Sequence, residues 1–340
     1  MKRPLTPWIV SILLAGCALG GNMTPSAPTD TAVPSAAHTA PPLPDRAAVL
    51  LPQTDSCGRG RCYTLEVVCA GLPARTAQVR HIQALEPRGT IFFTTGSEGN
   101  LFYAEMGGIA LETVKTVTQA GFETFEIAWQ GRDGWMAGAE GAGYTNALCG
   151  YAAVVRFVLE NLAAQSEYVL AQGNSGGGMQ IAYGLAVYGL EDVLDVAILS
   201  GGPPVSRLDV ACFGTDDEAL KPAVWPPTVQ GLERTDWLMG WQGNGDYCSS
   251  HAAPQEIIAQ AQADSLVPPD GARRDYGYPN TRVYFVNSEA DKTAADEQGR
   301  LYFIAILSEK FWLEISGREH EISMTEDGAA LIRQILLGQR

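Results

Sequence analysis

Residues 168–178 read YVLAQGNSGGG. The first five, Tyr168 to Gln172, form a short, largely apolar run of the kind that makes a buried strand. The run stops at Gly173-Asn174-Ser175-Gly176-Gly177, and a helical pattern follows over about 178–188. A serine at the apex of a sharp strand-to-helix turn needs neighbours without bulk two residues away, so that strand and helix can approach. The head of a helix also offers backbone N–H groups that can hold a developing negative charge. Ser175 is therefore a candidate nucleophile. Two other readings compete. Ser175 could be a plain helix N-cap, or the glycines could bind phosphate. The phosphate reading lacks the lysine that a P-loop carries after its glycines, and no G-x-G-x-x-G follows the first strand.

Outward from this turn, apolar runs alternate with helical patterns. Residues 62–69 and 76–85 read as two strands that open a sheet antiparallel. The runs 90–95 (TIFFTT), 122–129 (FETFEIAW), 168–172, 193–199, 282–286 and 311–315 supply six more. Helical patterns fall at about 102–120, 146–162, 178–188, 294–307 and 325–337. Strands alternating with helices predict an α/β fold with a mostly parallel eight-stranded sheet and helices on both faces. Ligands of such sheets bind at the carboxyl ends of the strands, so the residues just after each strand are the ones to test.

The 340-residue chain is 46% hydrophobic and 18% charged, which separates it from disordered sequences. Lys2 and Arg3, the apolar stretch from Trp8 to Leu14 and the small residues up to Cys17 make a targeting segment over 1–16. Leu14-Ala15-Gly16-Cys17 resembles the bacterial lipobox, which implies diacylation of Cys17 and export to the cell envelope. Ala18 after it implies the outer membrane if the cell is Gram-negative. The alternative is a plain secretory signal that happens to precede a cysteine. Residues 17–52 are rich in Pro, Ala, Ser and Thr and read as an extended tether containing His38; residues 53–340 read as the catalytic domain.

Net charge is −15, or about −17 without Lys2 and Arg3. No basic cluster offsets it, so nucleic acid is excluded as a partner and any membrane contact is expected only through the lipid anchor. Oligomeric state is left open. Beyond Cys17, six cysteines (57, 62, 69, 149, 212 and 248) in an exported chain suggest disulfides. Fifteen pairings are possible and the sequence does not choose among them; for Cys149, inside a helical pattern, a simple buried thiol stays open as the alternative. No spacing fits a metal site.

The glycine-flanked serine between strand and helix resembles the active-site turn of the α/β-hydrolase superfamily. That resemblance implies an acid after the seventh strand and a histidine after the eighth. Of four histidines, His320 in Gly317-Arg318-Glu319-His320 follows the last strand. His81 precedes the central strand and His251 lies in a long insertion. The loop Asn287-Ser288-Glu289-Ala290-Asp291 follows the seventh strand. Similarity to the family points to Asp291, with Glu289 second and Asp296 third; either loop carboxylate could orient the imidazole. Two backbone donors would complete an oxyanion hole: Gly176, and Ser97 in Thr95-Gly96-Ser97-Glu98-Gly99, with Gly96 close behind. Thr95 stands where the family often has histidine, a departure that leaves the backbone donors intact.

In the family, an insertion between strands six and seven forms a cap, here 201–280. It carries Trp225, Trp237, Trp241 and Tyr247, which suit an acyl or aromatic substrate or else pack the cap on the core. A Cys212–Cys248 bridge would stiffen a poorly helical cap. The implied activity is hydrolysis of a small-molecule or polymer carboxylic ester through an acyl-enzyme, with no metal or organic cofactor. A peptidase of the same fold and a catalytically silent envelope binding protein are the alternatives.

Overall fold

The computed structural model describes residues 46–51, 57–164, 167–229, 231–271, 273–317 and 320–338. Cys17, His38, the 1–16 segment and the tether up to residue 45 lie outside the described residues. The strands are β1 (Arg46–Leu50), β2 (Arg61–Cys69), β3 (Arg75–Ile82), β4 (Gly89–Thr94), β5 (Phe122–Trp129), β6 (Tyr168–Asn174), β7 (Val196–Ser200), β8 (Arg282–Asn287) and β9 (Lys310–Glu314). They form a nine-stranded sheet in the order β1-β2-β3-β5-β4-β6-β7-β8-β9. Pairings among β1, β2, β3 and β5 are antiparallel, and those from β5 through β4 to β9 are parallel.

The helices are α1 (Gly108–Gln119), α2 (Gly143–Ala147), α3 (Cys149–Asn161), α4 (Gly176–Ala186), α5 (Leu208–Phe213), α6 (Gly231–Leu238), α7 (Tyr247–Ser250), α8 (Gln255–Asp264), α9 (Ala295–Ala305) and α10 (Glu326–Leu337). The period-2 geometry of the central strands splits their side chains between two cores. Ile91, Phe93, Leu170, Val196 and Ile198 pack with Val114 of α1 and Ile332 of α10. Phe92, Ala171, Ala197 and Leu199 pack on the other face with Val154 of α3 and Ile181 of α4. Burial on both faces is why these strands read as continuous apolar runs.

β5 carries two buried carboxylates. On the α1 side, Arg80 of β3 forms a two-point pair with Glu126 at 2.8 and 2.9 Å and also reaches Glu105. Across the sheet, Glu123 accepts from Thr90 at 2.8 Å and lies 3.0 Å from His81 Nε2.

Three expectations change. The sheet has nine strands rather than eight, because residues 46–50, assigned to the tether, pair antiparallel with β2. The Pro-rich composition ends at Pro44, and the short run RAAVL then completes an edge of the sheet, a tertiary choice that local composition does not reveal. The insertion 201–280 is not poorly helical, since it contains α5 to α8. Each of these helices is ten residues or shorter, too short to show a clear period among Gly, Pro and aromatic residues. Cys149 is not a free buried thiol: it bridges Cys69, beside Cys57–Cys62 and Cys212–Cys248.

The Cys69–Cys149 bridge joins β2 to α3 across 80 residues, whereas Cys57–Cys62 spans 5. On loop entropy the first contributes about 4.5 kcal/mol and the second about 2 kcal/mol. Urea unfolding of paired Cys→Ser variants is expected to show the larger loss for Cys69/Cys149; the reverse order would contradict this account.

Candidate active site

Ser175 sits between β6 and α4 at φ 51°, ψ −115°, a conformation that side-chain-bearing residues rarely adopt. Neighbouring backbone holds it there. Its N–H donates to the Ser200 carbonyl at 2.8 Å, and its carbonyl accepts from Met179 N–H at 2.9 Å. The glycines permit the approach: a Cβ on Gly173 would lie 2.5 Å from the carbonyl carbon of Gly177. The Ser175 hydroxyl does not cap α4, which removes the N-cap reading. Instead its Oγ lies 2.7 Å from His320 Nε2.

His320 follows β9, and its other ring nitrogen, Nδ1, lies 2.7 Å from Asp291 Oδ2. The Asp291 side chain is only 1% exposed. Its remaining oxygen, Oδ1, accepts from Thr293 twice, from the N–H at 2.8 Å and from the hydroxyl at 2.6 Å. Thr293 Oγ1 also lies 3.2 Å from His320 Nδ1. Thr293 was not singled out in the sequence, although an aspartate two residues before a threonine is a recurrent local turn that could have flagged it.

The other carboxylates and histidines stand apart. Glu289 is exposed on the same loop. Asp296, in α9, lies 3.8 Å from Arg300, and burial raises its pKa to about 6. His81 is bound to Glu123, and His251 Nδ1 is 2.7 Å from the Cys212 carbonyl.

Burial opposes a charge on His320. The hydrogen bond to Asp291 and its negative charge, with Glu321 adding to them, outweigh burial and raise the imidazole pKa above its ordinary value. Burial likewise disfavours ionised Asp291, yet the bonds from His320 and Thr293 leave its pKa lowered. The arrangement keeps Asp291 anionic and steadies a proton on the imidazole.

The loop after β4 reaches over the turn. Ser97 has φ 51°. A Cβ on Gly176 would lie 2.5 Å from the Ser97 carbonyl oxygen and 3.0 Å from its nitrogen, so only glycine lets the two segments meet. Gly96 packs instead against the Asn174 carbonyl. The structure thus brings Ser175, Gly176, Ser97, Asp291 and His320 together.

Above them lies a cleft of about 420 Å³, walled by Trp135, Met136, Tyr144, Met179, Trp225 and Val229. Of the four cap aromatics named from the sequence, Trp225 alone reaches this cleft; Trp241 packs against Phe213 and Tyr247 within the cap. Trp135 and Tyr144 were missed, because nothing local marks them as cleft residues. Arg234 of α6 forms an ion pair with Glu98 of the β4 loop and so ties the cap insertion to that loop. Among the described residues no group of three or more His, Cys, Asp or Glu is placed to hold a metal ion.

No protein-family model matches the sequence, and no curated protein matches it either. Solved structures do. Acetyl xylan esterase 1 from Thermoanaerobacterium sp. JW/SL YS485 is 14% identical, with 86% of this chain and 88% of that chain aligned and a TM-score of 0.54. Puromycin hydrolase is 13% identical over 86% of this chain and 48% of its own, with a TM-score of 0.53, so this chain spans about half of it. Alpha/beta hydrolase domain-containing protein 10 from mouse is 14% identical over 84% of this chain and 96% of its own, at a TM-score of 0.47. With the strand order above, the likeness is one of architecture: the chain has the α/β-hydrolase fold.

His320 is expected to titrate above the ordinary histidine value of about 6.5 when its ring protons are followed by NMR. Asp291→Asn removes that charge and leaves only Glu321 to offset burial, so the midpoint falls from its wild-type position. Glu289→Gln leaves it unchanged; a larger shift from Glu289→Gln than from Asp291→Asn would reassign the acid.

Proposed function

We propose that this protein is a serine hydrolase that cleaves carboxylic esters through an acyl-enzyme. One observation carries the reading: a strained, glycine-flanked Ser175 whose Oγ is 2.7 Å from His320 Nε2, while His320 Nδ1 is 2.7 Å from buried Asp291. A hydroxyl is a poor nucleophile unless a base removes its proton as it attacks, and this geometry supplies that base at hydrogen-bond distance.

In the proposed reaction, His320 Nε2 takes the Ser175 proton while Oγ bonds to the ester carbonyl carbon. The carbonyl oxygen becomes an oxyanion facing the N–H groups of Gly176 and Ser97. Asp291 stabilises the imidazolium and holds its tautomer. Collapse breaks the carbon–oxygen bond to the leaving alcohol, which receives the proton from His320. Water then gives a proton to His320 and attacks the acyl-serine. A second collapse frees the carboxylic acid and returns the proton to Ser175.

The apolar part of the cleft wall, Trp135, Met136, Tyr144, Met179, Trp225 and Val229, supports an ester whose acyl or alcohol part is a hydrocarbon, although Arg234, Lys292 and Glu321 also line the cleft. Each methylene it buries adds about 0.8 kcal/mol, or about fourfold in kcat/KM, until the cleft is filled. At the level of the cell, the reading places the enzyme at the bacterial envelope, anchored through lipid on Cys17. Cys17→Ala is then expected to release it from the membrane fraction.

A fluorophosphonate probe is expected to label the wild type and not Ser175→Ala. Ser175→Ala should lower kcat on p-nitrophenyl butyrate by about 10⁶-fold and Asp291→Asn by about 10⁴-fold. The acid limb of kcat/KM should lie above the ordinary histidine pKa, because activity requires neutral His320 and Asp291 holds its proton more tightly. Equal labelling of wild type and Ser175→Ala would refute the serine mechanism. Turnover of aminoacyl amides without turnover of esters would make the enzyme a peptidase.

A further inference from the structure

We infer that Trp135 is a positioning residue for the oxyanion donor at Ser97, an inference that rests on the reading of Ser175 as an acylated nucleophile. Ser97 is not glycine, yet it holds φ at 51°. Such a conformation persists only where the surroundings over-determine it. Trp135 supplies part of that constraint. Its indole Nε1–H donates to the Ser97 carbonyl at 2.7 Å, and its backbone N–H donates to the Glu98 carbonyl at 3.1 Å.

A peptide unit is planar, so holding its carbonyl also aims its N–H. Gly99 N–H holds the Gly96 carbonyl at 3.0 Å, which fixes the plane that carries the Ser97 N–H. Trp135 fixes the next plane, between Ser97 and Glu98. Between them these two anchors set the dihedral angles of Ser97 and point its N–H toward the turn at Gly176. Without the indole bond only the Gly99 anchor remains of the two, and Ser97 can relax toward the common backbone region, which loosens the aim of its N–H.

Trp135 is itself held. It is 2% exposed, and its carbonyl accepts from buried Arg75, which also donates to the Ala147 carbonyl at 2.6 Å and contacts Cys69 Sγ at 3.2 Å. The residue before it, Gly134, lies so close to the Glu98 carbonyl that a Cβ there would collide with it. The indole thus stands on a rigid footing, is bonded to the loop at Ser97, and belongs to the residues that line the cleft. A tryptophan needed only to fill that wall would be replaceable by another ring. One needed for its N–H would not.

The test compares full-length wild type with Trp135→Phe, and with a variant carrying β-(3-benzothienyl)alanine at 135, which keeps the bicyclic ring and lacks the N–H. Active sites are counted first with a fluorophosphonate, so that misfolded protein does not enter the rates. With p-nitrophenyl butyrate, each variant is expected to lose about tenfold to hundredfold in kcat, with KM within about twofold. Affinity for an alkyl boronic acid, a tetrahedral transition-state mimic, should fall by a similar factor. The acid-limb midpoint should stay in place, because His320 is untouched.

If Trp135→Phe does not fold, the benzothienyl variant decides. Wild-type kcat and boronate affinity in the titrated variants would overturn the inference and leave the serine mechanism standing. A wild type that neither labels nor hydrolyses ester would overturn both.

Discussion

The site depends on a backbone contact between glycines. Strand β6 and helix α4 pass so close at Gly173 and Gly177 that no Cβ fits between them. That closeness forces Ser175 out of ordinary backbone conformations and lifts its side chain clear of both elements. The same lack of bulk at Gly176 lets the loop after β4 settle against the head of α4. Parallel pairing does the remaining alignment: β4 and β7 flank β6, so the loop at Ser97 and the carbonyl of Ser200 both reach the turn.

Electrostatics complete what packing starts. Ser175 is held from the protein side by an imidazole, and the imidazole by a carboxylate with almost no exposed surface. A buried carboxylate without partners would take up a proton, but Asp291 accepts three hydrogen bonds from two residues and stays acidic. A second buried polar chain braces the floor. Gln180 of α4 accepts from Trp129 at 2.8 Å and donates to Thr94 at 3.1 Å, linking the helix behind Ser175 to the two strands that carry the neighbouring loops.

Much of this was legible in the sequence. The central strands announced themselves because burial on both faces favours runs dominated by apolar and β-branched residues, as in TIFFTT and, after Asp195, VAIL. Ser175, His320 and the loop carboxylates could be singled out because the chain order of elements limits which residues stand at the carboxyl edge. The choice between Asp291 and Glu289 depended on side-chain direction, which spacing does not encode. β1 was missed because an edge strand needs only a partner, not a pattern of its own. Trp135 and the Arg234–Glu98 link were missed for a related reason, since each acts on residues far along the chain, whereas Thr293 carried a local Asp-x-Thr signal. The cap helices are short, and their positions follow from packing and a cross-link rather than from periodicity.

The two carboxylates of β5 have a consequence for assembly. Adjacent hairpin strands inherit their alignment from the turn between them, but β3 pairs with β5, and β4 and α1 intervene along the chain. No turn sets that alignment. Arg80 stands directly opposite Glu126 on one face, and His81 reaches Glu123 on the other. A slip of one residue would exchange the faces and strand four polar groups in apolar surroundings. The pairs act as a two-sided address that admits one docking position. The antiparallel half of the sheet is thereby joined to the parallel half in a single frame, and a one-residue slip is strongly disfavoured.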